Sequence, residues 1–407
     1  AMGLKQQRWL HYYGANELIA IIFTCWLSTY YPVPVALAIA VATQIPVMIC
    51  MFCILVVRLW YRTAPSVRAP RFPRPTWREF ECTARDGVVL RVRVSEGGGE
   101  KVMLLAEPLG QCGPDLYDPV ATWYGSEYTY VTWDYRGFFA SGSPKLQRRI
   151  AIPEHAHDAV EVLAAAGFEK ADVIIGHSMG TAVAFETVLC YPEKVGVVII
   201  LNGFHGQVFH TSMQPLIRLP LFGDLLAAFV DLLVNNAKLA GAFVRFNLVF
   251  FGLVLPKYVR IFGGSKLLSE IQGPEYLSAF FQGYLGGLLS TDTNLKHWLR
   301  LFQELDAHSV YHLLPEISHP MLVVSGFWDG ITPAMQSAEI VRRVPHAVHY
   351  CDPFSSHASI LESPERVVGE IVAFLQQVQE KEAAAPAATV PTVAPSGKRA
   401  GGSKKKR

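Results

Sequence analysis

Ser178 stands at the centre of Gly176-His177-Ser178-Met179-Gly180, after the apolar run Val173-Ile174-Ile175 and before a helix-compatible stretch. A serine hydroxyl is a weak nucleophile until a base takes its proton, and that base needs an anion to orient it and stabilise its charged form. Two downstream loops carry those residue types. Asp329 lies in S-G-F-W-D-G-I-T-P (325–333), after a strand-like run and before a helix expected from about Pro333. His357, in S-S-H-A-S-I-L-E (355–362), has the same strand-to-helix position. Nucleophile, base and anion together are the chemistry of acyl transfer.

The flanking glycines separate this reading from the simpler one. A serine capping a helix would explain Ser178 alone. Gly176 and Gly180 keep a sharp turn clear of side chains, so the serine can take a strained backbone conformation above a sheet. His177 within the turn reads as its support. The rivals for base and acid have other uses. His346 and His349 fall on or beside the last strand, where side chains pack, and Asp352 beside Pro353 reads as turn chemistry. His155, His157 and Asp158 open a helix-like stretch and read as capping and surface residues; no metal cluster is expected of them.

These residues need a scaffold that brings strand ends together. F-E-C-T-A-R-D-G-V-V-L-R-V-R-V (80–94) has Asp86-Gly87 between alternating runs, a hairpin pattern. Further strand-like runs occupy 101–106, 128–133, 171–175, 195–201, 320–325 and 347–351, with helix-like stretches at 154–166, 179–190, 334–343 and 358–379. Such alternation predicts an α/β fold with a mainly parallel sheet and helices on both faces. Residues 203–318 interrupt it with apolar helix-compatible segments and are expected to form a large helical cap over the strand ends, where ligands bind in open α/β sheets.

This assembly resembles the α/β-hydrolase family across 79–380, split into core segments 79–202 and 319–380 around the 203–318 cap. D-Y-R-G-F-F-A-S-G (134–142) is similar to the family's D-x-R-G-x-G-x-S segment, with Phe139 in place of the second glycine. The resemblance implies a serine hydrolase in which Ser178 is the nucleophile, Asp329 the acid and His357 the base, the chain order Ser, Asp, His being that of the class. It also implies an oxyanion hole from the backbone N–H groups of Met179 and Leu109, with Gly110 as the alternative to Leu109. A-E-P-L-G-Q (106–111) stands where many relatives carry His-Gly, and Glu107 has no role in the family pattern. No cofactor or metal is implied.

The N-terminal region has a different character. Residues 18–31 and 33–57 are runs free of charged side chains, separated by Pro32, and the helices expected from them cover about 16–31 and 33–57. The second reaches the roughly 20 residues needed to span a bilayer. They predict a membrane anchor over 1–62, a transmembrane helical hairpin; the competing topology is one crossing with the first run lying in the interface. Lys5 and Arg8 before it, and Arg58, Arg62 and Arg68 after it, place both flanks in the cytoplasm by the positive-inside tendency. Residues 63–78, rich in proline and arginine, read as a linker, and 381–407 as a disordered basic tail. Lys404 and Lys405 resemble a dilysine endoplasmic-reticulum retrieval signal, against the simpler reading of a solubilising tail.

Bulk composition limits the alternatives. The 407 residues are 51% hydrophobic and 17% charged with net charge +2, enough for one large core, and no nucleic-acid signature accompanies the basic patches. Seven cysteines, three of them (Cys25, Cys50, Cys53) in apolar runs, do not make a disulfide framework. Anchor and apolar cap together suggest the lipid bilayer as partner and a hydrophobic acyl ester as substrate. The same triad would serve a thioesterase or acyltransferase, and a catalytically silent membrane-tethered scaffold is the alternative of a different class.

Overall fold

The computed structural model describes residues 72–110, 113–146, 150–212, 220–236 and 292–384. The expected anchor, most of the linker, the Cys50-x-x-Cys53 pair, the middle of the cap and nearly all of the tail lie outside them. Among the described residues, no helix is long and apolar enough to cross a membrane.

Eight strands form one sheet: β1 (Trp77–Thr83), β2 (Val89–Ser95), β3 (Lys101–Ala106), β4 (Tyr128–Trp133), β5 (Ala171–His177), β6 (Val195–Leu201), β7 (Met321–Gly326) and β8 (Val348–Asp352). Their order is β1-β2-β4-β3-β5-β6-β7-β8. Only β2 runs against its neighbours β1 and β4; the other pairings are parallel. The helices are α1 (Asp118–Tyr124), α2 (Ile152–Ala165), α3 (Met179–Cys190), α4 (Val208–Thr211), α5 (Phe222–Val234), α6 (Asp292–Ala307), α7 (Ala334–Arg343), α8 (Ser359–Glu362) and α9 (Pro364–Ala384).

The central strands are apolar at nearly every position because both their faces are covered. Successive side chains on a strand point to opposite faces, and the core divides accordingly. Leu104, Val131, Ile174, Val198, Ile200 and Val323 pack with α2, α3 and α7, whereas Met103, Leu105, Tyr130, Ile175, Ile199 and Val324 pack with α1 and α9. A one-residue slip of β5 would exchange these sets, so the position of Ser178 at its end is fixed by burial on both sides.

Four expectations need correction. The stretch 358–379 is two helices, not one: Ser363 lies outside helical geometry because Pro364 crowds the backbone before it, and its hydroxyl donates to Asp352 (2.8 Å). Helix α9 runs to Ala384, into the segment expected to be tail, and β1 begins at Trp77 within the expected linker. His155 and Asp158 are not surface residues. Both are fully buried, because the first turns of α2 pack beneath the Asp134–Gly142 loop, and Arg136 of that loop donates to both Asp158 oxygens (2.7 and 2.5 Å) and to Asp86 (3.0 Å).

That ion pair crosses from the loop after β4 to α2, so its loss leaves a buried uncompensated carboxylate. Arg136→Ala is expected to lower unfolding free energy by about 3–5 kcal/mol, the range for breaking one side of a buried pair. Guanidinium denaturation of the variant and wild type measures it, and a change under about 1 kcal/mol would refute the assignment.

Candidate active site

The apolar run of β5 ends at His177, and the chain turns at once into α3. Ser178 sits between them with φ 52° and ψ −115°, a conformation that costs an L-residue about 1–3 kcal/mol. Side-chain-free neighbours make it possible. A Cβ on Gly176 would lie 2.4 Å from the Gly180 carbonyl oxygen, and one on Gly180 would lie 2.1 Å from that of Ala106. The second contact also seats the first turn of α3 against the exit of β3.

Asp329 follows β7 and His357 follows β8, so parallel pairing delivers both to the same sheet edge as Ser178. His357 Nε2 is 3.0 Å from Ser178 Oγ, and His357 Nδ1 is 3.0 Å from Asp329 Oδ2. A carboxylate can only accept, so Nδ1 carries the proton and Nε2 is left to take one from the serine. Burial alone would hold the His357 pKa down; the Asp329 charge and hydrogen bond outweigh it and push the value above 6.5. Burial likewise opposes ionisation of Asp329, but His357 and its hydrogen-bond donors hold its carboxyl below the usual value.

Those donors include residues that no sequence motif marked. Asp329 Oδ1 accepts from the backbone N–H groups of Ile331 (2.9 Å) and Thr332 (2.8 Å). Its Oδ2 accepts from Asn202 Nδ2 at 2.8 Å. Thr332 Oγ1 lies 2.8 Å from Asp329 Oδ2 and 2.8 Å from the Asn202 carbonyl, with one proton to give. Asn202, first after β6 and at φ 49°, also donates to the Ser356 carbonyl (2.9 Å) and accepts from Ser359. It therefore ties the acid loop to the histidine loop. Its one advance signal is position, a polar residue closing an apolar strand next to the nucleophile's strand. Asn202→Ala is expected to cost about 1–3 kcal/mol of stability, because it strands buried partners. It should also lower kcat roughly tenfold by loosening Asp329; thermal unfolding and steady-state kinetics on the same preparation test both.

His177 supports the turn from a particular atom. Its Nε2–H donates to the His357 carbonyl (2.8 Å), and the two rings lie 5.2 Å apart. Burial first, then the His357 charge, lowers its pKa to about 3, so it stays neutral and is no rival base. The other rivals stand apart: His349 bonds Ser325 (2.9 Å), His346 the His319 carbonyl (2.7 Å), and Asp352 pairs with Arg366 while accepting from the turn N–H of Phe354. Among the described residues no cluster of His, Cys, Asp or Glu could hold a metal ion.

The expected oxyanion donors lie on two adjoining segments. Met179 is the first residue of α3, where N–H groups have no partner within the helix. Leu109 is buried in the loop after β3, just before Gly110 at φ 79°. The Gly180–Ala106 contact brings these segments together. The neighbouring Asp134–Gly142 loop is anchored at each end: Arg93 holds Asp134 (2.6 Å), and His297 Nδ1–H of α6 donates to the Gly137 carbonyl (2.6 Å), docking the cap. Phe139 takes φ 47°, the glycine-like conformation its replaced residue would supply freely.

Strand order, the turn at Ser178 and the three-residue relay define a class, and the chain belongs to the alpha/beta hydrolase fold family, which matches residues 112–364. It is similar to the pimeloyl-[acyl-carrier protein] methyl ester esterase of Vibrio atlanticus, 23% identical over 225 residues that cover 55% of this chain and 78% of that protein. Epoxide hydrolase 4 of Mus musculus is 34% identical over 120 residues, 26% of this chain and 33% of that protein. An esterase from Exiguobacterium antarcticum superposes with a TM-score of 0.54 at 17% identity, over 74% of this chain and 100% of that one, which shows a shared fold.

Proposed function

We propose that this protein is a serine hydrolase that cleaves carboxylic esters with a hydrophobic acyl group, through an acyl-enzyme on Ser178. The observation that carries this reading is the unbroken relay from Ser178 Oγ through both His357 nitrogens to Asp329, at 3.0 Å for each step. His357 takes the serine proton as Ser178 attacks the carbonyl, gives it to the leaving alcohol, then activates the water that releases the acid. Asp329 stabilises the imidazolium, and the backbone N–H groups of Met179 and of Leu109 or Gly110 are the candidate donors to the oxygen that gains negative charge.

Phe327, Trp328 and Ile331, in the loop that carries Asp329, and Met335, in the first turn of α7, are exposed, and Trp328 is held by its indole N–H to the Pro353 carbonyl (2.9 Å). Aromatic and aliphatic groups beside a polar triad favour an acyl chain over a charged substrate. The charge-free runs at 18–31 and 33–57 support an integral-membrane location, the basic residues flanking them support a cytoplasmic side for this domain, and such an anchor would hold the site beside esters that partition into the bilayer.

Competition against a fluorophosphonate probe tests the reading, with Ser178→Ala as the blank. Long-chain lipid esters should block labelling at lower concentrations than short soluble esters. Labelling that only soluble esters block would sink the acyl-chain assignment, and an unlabelled folded protein would sink the hydrolase. Alkaline carbonate extraction tests the location: the full chain should stay in the membrane pellet.

A further inference from the structure

Glu107 directly follows β3 and is almost wholly buried. Its Oε1 accepts from Thr132 Oγ1 on β4 (3.0 Å), and its Oε2 has no hydrogen-bond partner among the described residues. The backbone around it is clamped. The Glu107 carbonyl accepts from the Tyr135 hydroxyl (2.8 Å), the Ala106 carbonyl from that of Tyr117 (2.6 Å), and a Cβ on Gly180 would lie 3.0 Å from the Glu107 oxygen. Leu109 is two residues further on, so its Cα is at most about 7.6 Å from that of Glu107.

The surroundings offer a carboxylate little compensation. Arg93 of β2 faces Glu107, but Asp134 (2.6 Å) and Glu79 (2.9 Å) already engage it. Asp134 and Asp115, on the loops after β4 and before α1, face it as like charges, and the hydroxyls of Tyr117 and Tyr135 stay protonated in their own burial. Burial is the largest influence and holds the Glu107 carboxyl well above the usual range, against the opposing pull of Thr132 and Arg93. A buried oxygen without a partner costs far less on a neutral acid than on a carboxylate, so the bare Oε2 favours the protonated form.

We propose that Glu107 is a positioning residue of the ester-cleaving site: as a neutral carboxylic acid bonded to Thr132, it fixes the loop that carries Leu109 without placing a negative charge beside the forming oxyanion. The assignment rests on the serine-hydrolase reading above. A full charge within about 10 Å of the oxyanion, at an effective dielectric near 20, would slow its formation roughly tenfold. A neutral acid supplies the same anchor free of that penalty.

Three variants and one spectrum test it. Glu107→Gln is neutral, keeps the acceptor for Thr132, and should hold kcat within about threefold of wild type. Glu107→Leu and Thr132→Val break the contact and should lower kcat about tenfold with KM within about twofold, since the hole acts on the transition state. The infrared difference between wild type and Glu107→Gln at neutral pH should contain a protonated-carboxyl C=O band. Wherever that band titrates away, kcat should fall with it in wild type and not in Glu107→Gln. Equal loss in the Gln and Leu variants, full kcat in Thr132→Val, or no such band would overturn the proposal; if Glu107→Leu does not fold, the remaining three results decide. Fluorophosphonate labelling of wild type separates the two levels: unlabelled Ser178 defeats the hydrolase reading, whereas labelled Ser178 with variants of undiminished kcat defeats only the role of Glu107.

Discussion

Ser178→Ala should lower kcat/KM on a carboxylic ester by roughly 10⁵–10⁶-fold, the scale seen when a triad nucleophile is removed and only binding and oxyanion contacts remain. The loss should fall on kcat, because the hydroxyl forms a bond in the transition state and contributes little to ground-state binding. The same position makes a second, opposite prediction for stability. Ser178 holds φ 52° and ψ −115°, which an alanine must also hold and a glycine adopts freely. Ser178→Gly should therefore be as inactive as Ser178→Ala yet unfold at higher denaturant, by roughly 1 kcal/mol after the extra chain entropy of glycine is subtracted. Kinetics and guanidinium unfolding of the two variants side by side check both. Residual activity above a hundredth of wild type in either would mean that Ser178 is not the nucleophile.

The parts of the site legible in the sequence were those fixed by local rules. Gly176, Ser178 and Gly180 mark a strand-to-helix turn because only small residues fit where a Cβ would meet the Gly180 and Ala106 carbonyls. Asp329 and His357 each repeat that strand-to-helix position, and α3 and α7 have the limits their patterns suggest. The rest of the site is held by contacts distant in sequence. Asn202 meets Asp329 across 127 residues and Ser359 across 157, and nothing near it in the chain says so. His155 and Asp158 sit in a helix start that reads as surface, and only the packing of Arg136 from another loop buries them. The interruption at Ser363 was available from Pro364 alone, and periodicity across 358–379 masked it. Glu107 stands out as an acid in an unexpected place, but what raises its pKa, burial first and then the charges of Asp134 and Asp115 against the pull of Thr132 and Arg93, is assembled only by the fold.

On the acid side, kcat/KM should fall about tenfold per pH unit below a midpoint that lies above 6.5. The sign follows from the role of His357. As base it must be neutral at Nε2 to take the serine proton, so activity belongs to the deprotonated form and disappears as pH drops through its pKa. Burial pulls that pKa down, but the charge and hydrogen bond of Asp329 pull it up by more, so the site loses activity at a higher pH than a free imidazole would. Three other described histidines do not mimic the limb: His177 lies near 3, and burial also lowers His205 and His349 below the ordinary value, while Glu362, itself pushed up by burial, adds to the pull on His357. Asp329→Asn turns the argument into a test with two readouts. Without the carboxylate, burial dominates and the midpoint should move below 6.5, while kcat/KM at its plateau should fall roughly 10⁴-fold because the imidazole loses its orienting acceptor and the stabilisation of its charged form. A slower enzyme with an acid limb at lower pH is the signature of this relay. A variant that slows without moving the limb would mean that the titrating group is not His357 or that Asp329 is not its partner.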